Sequence, residues 1–233
     1  MDKGKLFAGI AIMAGLIVLG LCLPKAVKEL KSYDRTVNVK GLCEREVKAD
    51  KVIWPLAFKT SGNDLDAVYA EIDRNTRTIT DFLKQGGISE QEISISVPSV
   101  SDKYANEYGT NDRLYRYVAS SIITVCTNDV DKVLSLMDKQ SGLARKGIPL
   151  YSDWETRSEF SFEGLNAIKP EMIEEATKNA REVAIKFAKD SESKLGKIKS
   201  ANQGTFSIED RDSNTPYIKT VRVVTNVTYY LTK

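Results

Sequence analysis

Val37 to Phe58, VNVKGLCEREVKADKVIWPLAF, decides the fold. Val37, Val39, Cys43 and Val47 alternate with Asn38, Lys40, Glu44, Glu46 and Lys48. A period of two puts the first set on the buried face of a strand and the second in solvent. Gly41 falls within the strand, where glycine marks a bulge or a close backbone approach. Ala49-Asp50 supplies a turn, and Val52, Trp54, Leu56 and Phe58 alternate again. The spacing predicts a hairpin. Pro55 has no N–H for a ladder, so its part of the second strand belongs at an edge or a bulge.

Downstream, Ser61-Gly62-Asn63-Asp64 opens a helix, with Asn63 or Asp64 as its N-cap. Leu65, Val68, Tyr69, Ile72, Thr76, Ile79, Phe82 and Leu83 fall on one face, and Gln85-Gly86-Gly87 ends the helix with a left-handed cap. Ile93, Ile95 and Val97 begin a third strand, which Pro98 and the segment from Ser99 to Asp112 interrupt. A fourth strand runs from Leu114 to Thr127. Asp129-Val130-Asp131-Lys132-Val133 then starts a second helix, echoing Asp64-Leu65-Asp66-Ala67-Val68. The echo reads as an internal repeat or as the same capping chemistry used twice. A strand is expected near Trp154 to Glu163. A long helix follows from Pro170, as first helical residue, to Leu195, with Gly196 as its stop. Its stripe is Ile173, Ala176, Ala180, Val183, Ala184, Phe187, Ala188 and Leu195. Two strands, 197–208 and 220–231, finish the chain; Val221, Val223, Thr225, Val227 and Tyr229 share a face. Hairpins mixed with helices predict an α+β fold with largely antiparallel sheets and a long alanine-rich helix packed on a sheet.

Toward the amino end, Leu6 to Leu23 (LFAGIAIMAGLIVLGLCL) carries no charge. As a helix it spans about 27 Å, close to the apolar thickness of a bilayer. Lys3 and Lys5 precede it; Pro24, Lys25, Lys28 and Lys31 follow. Three readings stay open: an uncleaved transmembrane signal-anchor, a cleaved signal peptide, and a lipoprotein signal ending at Cys22. The run is longer than a signal's apolar region, and Leu21-Cys22-Leu23-Pro24 offers no small-residue pair for cleavage, which favours the anchor. The expected organisation is a tail at 1–5, the anchor at 6–23, a stalk at 24–35, and a domain at 36–233 of one body or two intertwined subdomains.

The chain has no histidine. That excludes Ser-His-Asp and Cys-His relays and every zinc site that uses imidazole. With 34 basic and 32 acidic residues, the charge is balanced, so no nucleic-acid groove is implied. Cys43 and Cys126 read either as two small buried strand residues or, in an oxidising compartment, as one disulfide.

The ordered series carries a resemblance. Gly41, Glu44, Val47 and Asp50 in the opening strands, the glycine-ended helix before Ile88, and Tyr115-Arg116-Tyr117 leading to Asn128-Asp129-Val130-Asp131-Lys132-Val133 resemble the SIMPL-domain family of exported bacterial proteins. Ala180-Arg181, Ala184, Ala188 and Leu195-Gly196-Lys197-Ile198 resemble its long helix and exit. The similarity covers about residues 35 to 233. Arg45 and Lys48 depart from it, standing where small or apolar residues are more usual. The resemblance implies an envelope location, ring or channel-like oligomers in some members, links to stress responses in others, and no catalytic residues to carry over.

Five acids are weighed as chemistry. Glu44 and Glu46 share a strand face; Glu209, Asp210 and Asp212 surround Arg211 in an expected turn. Such acids serve either acid/base or cation-dependent hydrolysis, or a plain solvated face. Tyr104 and Tyr108 mark an expected interaction loop. The expectation is a membrane-anchored, non-enzymatic module of the cell envelope. Its folded domain stands in the periplasm and forms homo-oligomers or meets envelope partners. It has no catalytic residues, no metal and no cofactor. The alternatives are a carboxylate-based or cation-dependent envelope hydrolase and a binder of small apolar ligands between sheet and long helix.

Overall fold

The computed structural model describes residues 3–32, 35–106 and 114–232, and in the first helix it describes side chains at 9 and 11–24. In chain order, α1 (Lys3–Ser32) precedes β1 (Thr36–Lys48), β2 (Lys51–Gly62) and α2 (Leu65–Gln85). Next come β3 (Ile93–Ile95), β4 (Ser99–Asp102), α3 (Lys103–Asn106), β5 (Tyr117–Thr127), α4 (Val130–Lys139) and α5 (Ser141–Arg145). The rest is β6 (Leu150–Tyr151), β7 (Glu159–Ser161), α6 (Leu165–Asp190), β8 (Lys194–Gln203), β9 (Ser207–Asp210) and β10 (Ile218–Thr232). The chain falls into two compact units. Met1–Arg45, Ala167–Ser207 and Val221–Lys233 make the first; Glu46–Asn166 and Ile208–Thr220 make the second.

In the first unit the sheet runs β1-β10-β8, with β10 and β8 antiparallel. Met172, Ala176, Ala180, Ala184 and Ala188 recur every four residues along α6 and are all buried. Ala180 and Ala184 pack on Val39, Val227 and Tyr229. Short side chains let helix and sheet approach closely, and Gly41 shows how closely: a Cβ there would lie 1.8 Å from the Ala176 carbonyl oxygen. The alanine stripe is narrower than the sequence suggests. Val183 and Phe187 lie on the flank of α6 and are 37% and 55% exposed. The helix also starts five residues early, so Pro170 lies inside it, and it ends at Asp190. Gly196 is not its stop. It belongs to β8, opposite a register shift between Tyr229 and Leu231, where a side chain would press on the Tyr230 carbonyl.

Of α1, Ile12, Leu16, Leu19 and Leu21 are exposed. Among the described residues no helix is long and apolar enough to cross a membrane.

The second unit is built on β2 and β5, antiparallel from Val52↔Thr127 to Gly62↔Tyr117. β3 and β4 pair with β5, and β6 and β7 pair with β2. Val68, Ile72, Ile79 and Leu83 of α2 and Val130, Val133 and Leu136 of α4 join Val52, Leu56, Phe58 and Ile123 in one core. Asp64 and Asp129 cap α2 and α4, accepting from the amides of Ala67 and Lys132. The echoed motif therefore starts the helix after each central strand. Gly86 keeps right-handed geometry, and Gly87, at φ +86, supplies the left-handed turn.

The hairpin expected of β1 and β2 is absent: β1 neighbours β10, and β2 neighbours β5. The bend between them is held by other segments. Ala49 N donates to Tyr217 O and Asp50 N to Ser161 O. The Asp50 carboxylate accepts from the amides of Glu163 and Gly164, both at 2.7 Å. The strand expected near Trp154 is also revised; Trp154 sits in a turn between β6 and β7.

Candidate functional site

Pro55 locates a cleft. On the outer flank of β2, β6 pairs with Ala57 and Phe58, and β7 pairs with Lys51, Val52 and Ile53. Trp54, Pro55 and Leu56 stand opposite the gap. A proline is tolerated in an interior strand where the neighbour that would need its N–H is missing. Here a cleft of ≈ 430 Å³ opens, lined by Trp54, Leu56, Leu150, Gln140, Ser141 and Thr156.

The segment from Ser152 to Ser158 borders the cleft as a locked turn. Asp153 Oδ1 accepts from Glu155 N, Thr156 N and the Thr156 hydroxyl, and Asp153 N donates back to Thr156 Oγ1. The Thr156 hydroxyl, aided by the amides, holds the Asp153 carboxyl below its ordinary range. Trp154, inside this turn, is 89% exposed. Lys59 Nζ lies 4.3 Å over the Tyr151 ring. Burial, then the charges of Asp153 and Glu155, push the Tyr151 phenol up. Hydroxyls, an amide and apolar surface line the cleft, with no carboxylate, thiol or amine among the described lining residues. Such a lining suits binding by shape and hydrogen bonding.

The opposite flank of the sheet is broken too. β3 and β4 share β5, and between them Val97 is 90% exposed. At the end of β4, Asp102 takes a bidentate ion pair from Arg116, whose guanidinium lies 4.9 Å from the Tyr117 ring and 5.8 Å from that of Tyr104. Arg116 holds the Asp102 carboxyl below its usual value. Tyr104 is 55% exposed; Tyr108 lies outside the described residues.

The weighed acids do not converge. Glu44 is exposed on β1, and Glu46 pairs with Arg211 at 3.3 Å. Glu209 and Asp210 lie on β9 rather than in a turn, and Asp210 is bonded by Lys219. Asp212 closes the β9–β10 turn, accepting from the amides of Asn214 and Thr215 at 2.8 Å. The Thr215 hydroxyl and then Arg211 draw its carboxyl far below the ordinary range. Among the described residues no group of three or more Cys, Asp or Glu side chains is placed to hold a metal ion. Where α6 crosses β1, the close approach at Gly41 leaves no room for a ligand between helix and sheet.

Cys43 and Cys126 are both free, and Cys126 is exposed where a buried residue was expected. Burial, then the hydrogen bond to Glu175, pushes the Cys43 thiol up. Arg45, unusual on a strand of this kind, reaches Glu171 and Glu175 at 2.8 and 3.2 Å. Those acids are spaced i, i+4 on α6, the visible signal for this pairing. Trp154 was hidden from the sequence by its place in an apparent strand; the Asp153-x-x-Thr156 turn was its only mark.

The SIMPL family model, described as a protein of unknown function (DUF541), matches residues 37–229. The chain belongs to the SIMPL family. No curated protein matches it. The SIMPL match runs through both units and includes β1 to β10 nearly end to end.

The carboxylates of this SIMPL domain give one expectation. Glu92, Asp102, Asp129 and Asp153 all titrate below their ordinary values, held there first by Thr127, Arg116, Lys132 and Thr156 respectively. A folded value below the unfolded one adds stability above the unfolded pKa, which is lost as pH falls through the folded value. Cys43, raised by folding, adds stability below its unfolded value, which is lost as pH rises through the folded one. With no histidine between these ranges, Tm is expected to be flat from about pH 5 to about 8 and to fall below about pH 4. Thermal melts across pH check this; a step near pH 6.5 would contradict it.

Proposed function

We propose that this SIMPL protein is a membrane-tethered binding module of the bacterial cell envelope, working through contacts with further copies of itself or with envelope partners and catalysing no reaction. The tether is Leu6–Leu23. Its support is an uncharged run of bilayer length between lysines, within a helix whose described apolar side chains are exposed. In this reading the folded domain stands on the far side of the membrane from Lys3 and Lys5.

One observation carries the binding role. Both flanks of the second unit's sheet are short, interrupted strands, and each exposes a large apolar residue, Val97 at 90% and Trp154 at 89%. Interrupted edges leave backbone groups for a partner strand, and an exposed tryptophan is a frequent anchor at interfaces. The pairing of Glu46 with Arg211 and of Asp210 with Lys219 supports the same reading over a carboxylate hydrolase.

Light scattering of the full chain in nonionic micelles is expected to give more than one copy per particle. Trp154→Ser with Val97→Ser is expected to return it to a single copy. Residues this exposed change stability by only about 0.5 kcal/mol, so unfolding would not explain the loss. A single copy at every concentration would remove self-assembly. Release of the full chain from membranes by alkaline carbonate would remove the tether.

A further inference from the structure

The first unit carries a basic groove that the binding role does not use. It measures ≈ 400 Å³ and is lined by Arg181, Ile185, Lys189, Ser193, Lys194 and Leu195, with no acid in the lining. Arg181, Ile185 and Lys189 form one row along α6 at four-residue spacing. Glu182, Asp190 and Glu192 occur in the same stretch but do not line it. No ion pair involves Arg181, Lys189 or Lys194 among the described residues. Arg35 reaches this site directly, its guanidinium donating to Ser193 Oγ at 3.0 Å, while its carbonyl accepts from Leu231 N.

Arg35 is also the point where the chain from α1 joins the unit. Two residues separate it from Ser32, three Cα–Cα steps or about 11 Å of chain at most. The helical residues after Leu23 add about 14 Å. The groove is therefore tethered within about 25 Å of the end of the apolar run, and the sequence between them carries Lys25, Lys28 and Lys31. A tether this short makes docking on the adjacent surface an intramolecular event. Clustered cations beside an apolar side chain suit a phosphate carried on a lipid, since each cation near an anionic leaflet adds attraction.

We propose that this groove binds the phosphate headgroup of anionic phospholipid and holds the first unit against the membrane surface. The assignment rests on the tether reading above. The test reconstitutes the full chain into nanodiscs of phosphatidylcholine alone or with phosphatidylglycerol and follows lysine acetylation by mass spectrometry. Lys189 and Lys194 are expected to react about fivefold more slowly with phosphatidylglycerol present, while Lys59 of the second unit is unchanged. The triple variant Arg181→Gln, Lys189→Gln, Lys194→Gln is expected to retain less phosphatidylglycerol on extraction into nonionic detergent than the parent. Equal acetylation in both discs overturns the groove and leaves the tether standing. Failure to enter either disc overturns both. Protection by inorganic phosphate in phosphatidylcholine discs, with none from phosphatidylglycerol, assigns the groove to a free anion and overturns the lipid.

Discussion

Gly41→Ala is expected to cost about 3 kcal/mol or more and to disrupt the first unit. The added Cβ would lie 1.8 Å from the Ala176 carbonyl oxygen and 2.7 Å from the Ala180 amide nitrogen. Both are helix backbone, so no rotamer change relieves the clash; α6 must move off the sheet or bend. Movement would strip Ala180 and Ala184 from Val39, Val227 and Tyr229. Cys43 lies two residues along the same strand and is buried, which makes its thiol a local reporter. In a Cys22→Ser, Cys126→Ser background, thiol labelling of the glycine variant should become fast while the parent stays protected. Gly142→Ala is the control, because nothing lies within 4 Å of its added carbon. An unchanged denaturation midpoint for Gly41→Ala would show that α6 does not pack on β1 as described.

Phe58→Ala is the second large effect, about 3–5 kcal/mol. Phe58 is fully buried in β2, opposite Ser121 of β5, in the core that α2 and α4 cover. Truncation leaves a cavity that the surrounding strands and helices cannot fill. Both tryptophans, Trp54 and Trp154, belong to this unit, so intrinsic fluorescence follows its unfolding. The midpoint in urea should fall by a large fraction of the parent's value, since domain stabilities are typically only about 5–15 kcal/mol. A shift equivalent to less than about 1 kcal/mol would mean that Phe58 is not in the core.

Much of this architecture was legible because burial writes a period into the chain. The alternation in β1, β2 and β10, the caps at Asp64 and Asp129, and the left-handed turn after α2 follow from local chemistry that one sequence displays. Partner choice was not legible. Val37–Phe58 reads as a hairpin because two amphipathic strands flank a turn aspartate, yet Asp50 spends its carboxylate on Glu163 and Gly164, far along the chain. The width of the α6 stripe was overread for a similar reason. Alanine alone suffices where Gly41 brings the backbone in, so Val183 and Phe187 are left outside. Of the candidate site, the acids were visible as residues, but their neutralisation by Arg211 and Lys219 was not. Pro55 was the best local clue: it marked a missing neighbour, and the cleft lies there.

The middle strand of the first unit's sheet is β10, flanked by β1 from the opening of the domain and β8 from its second half. β1 therefore waits, unpaired in that sheet, through synthesis until the last strand arrives. Any product cut short before Val221 presents two raw edges to its surroundings, a form that proteases and chaperones are suited to detect. Completion of this unit doubles as a check that the whole domain has been made.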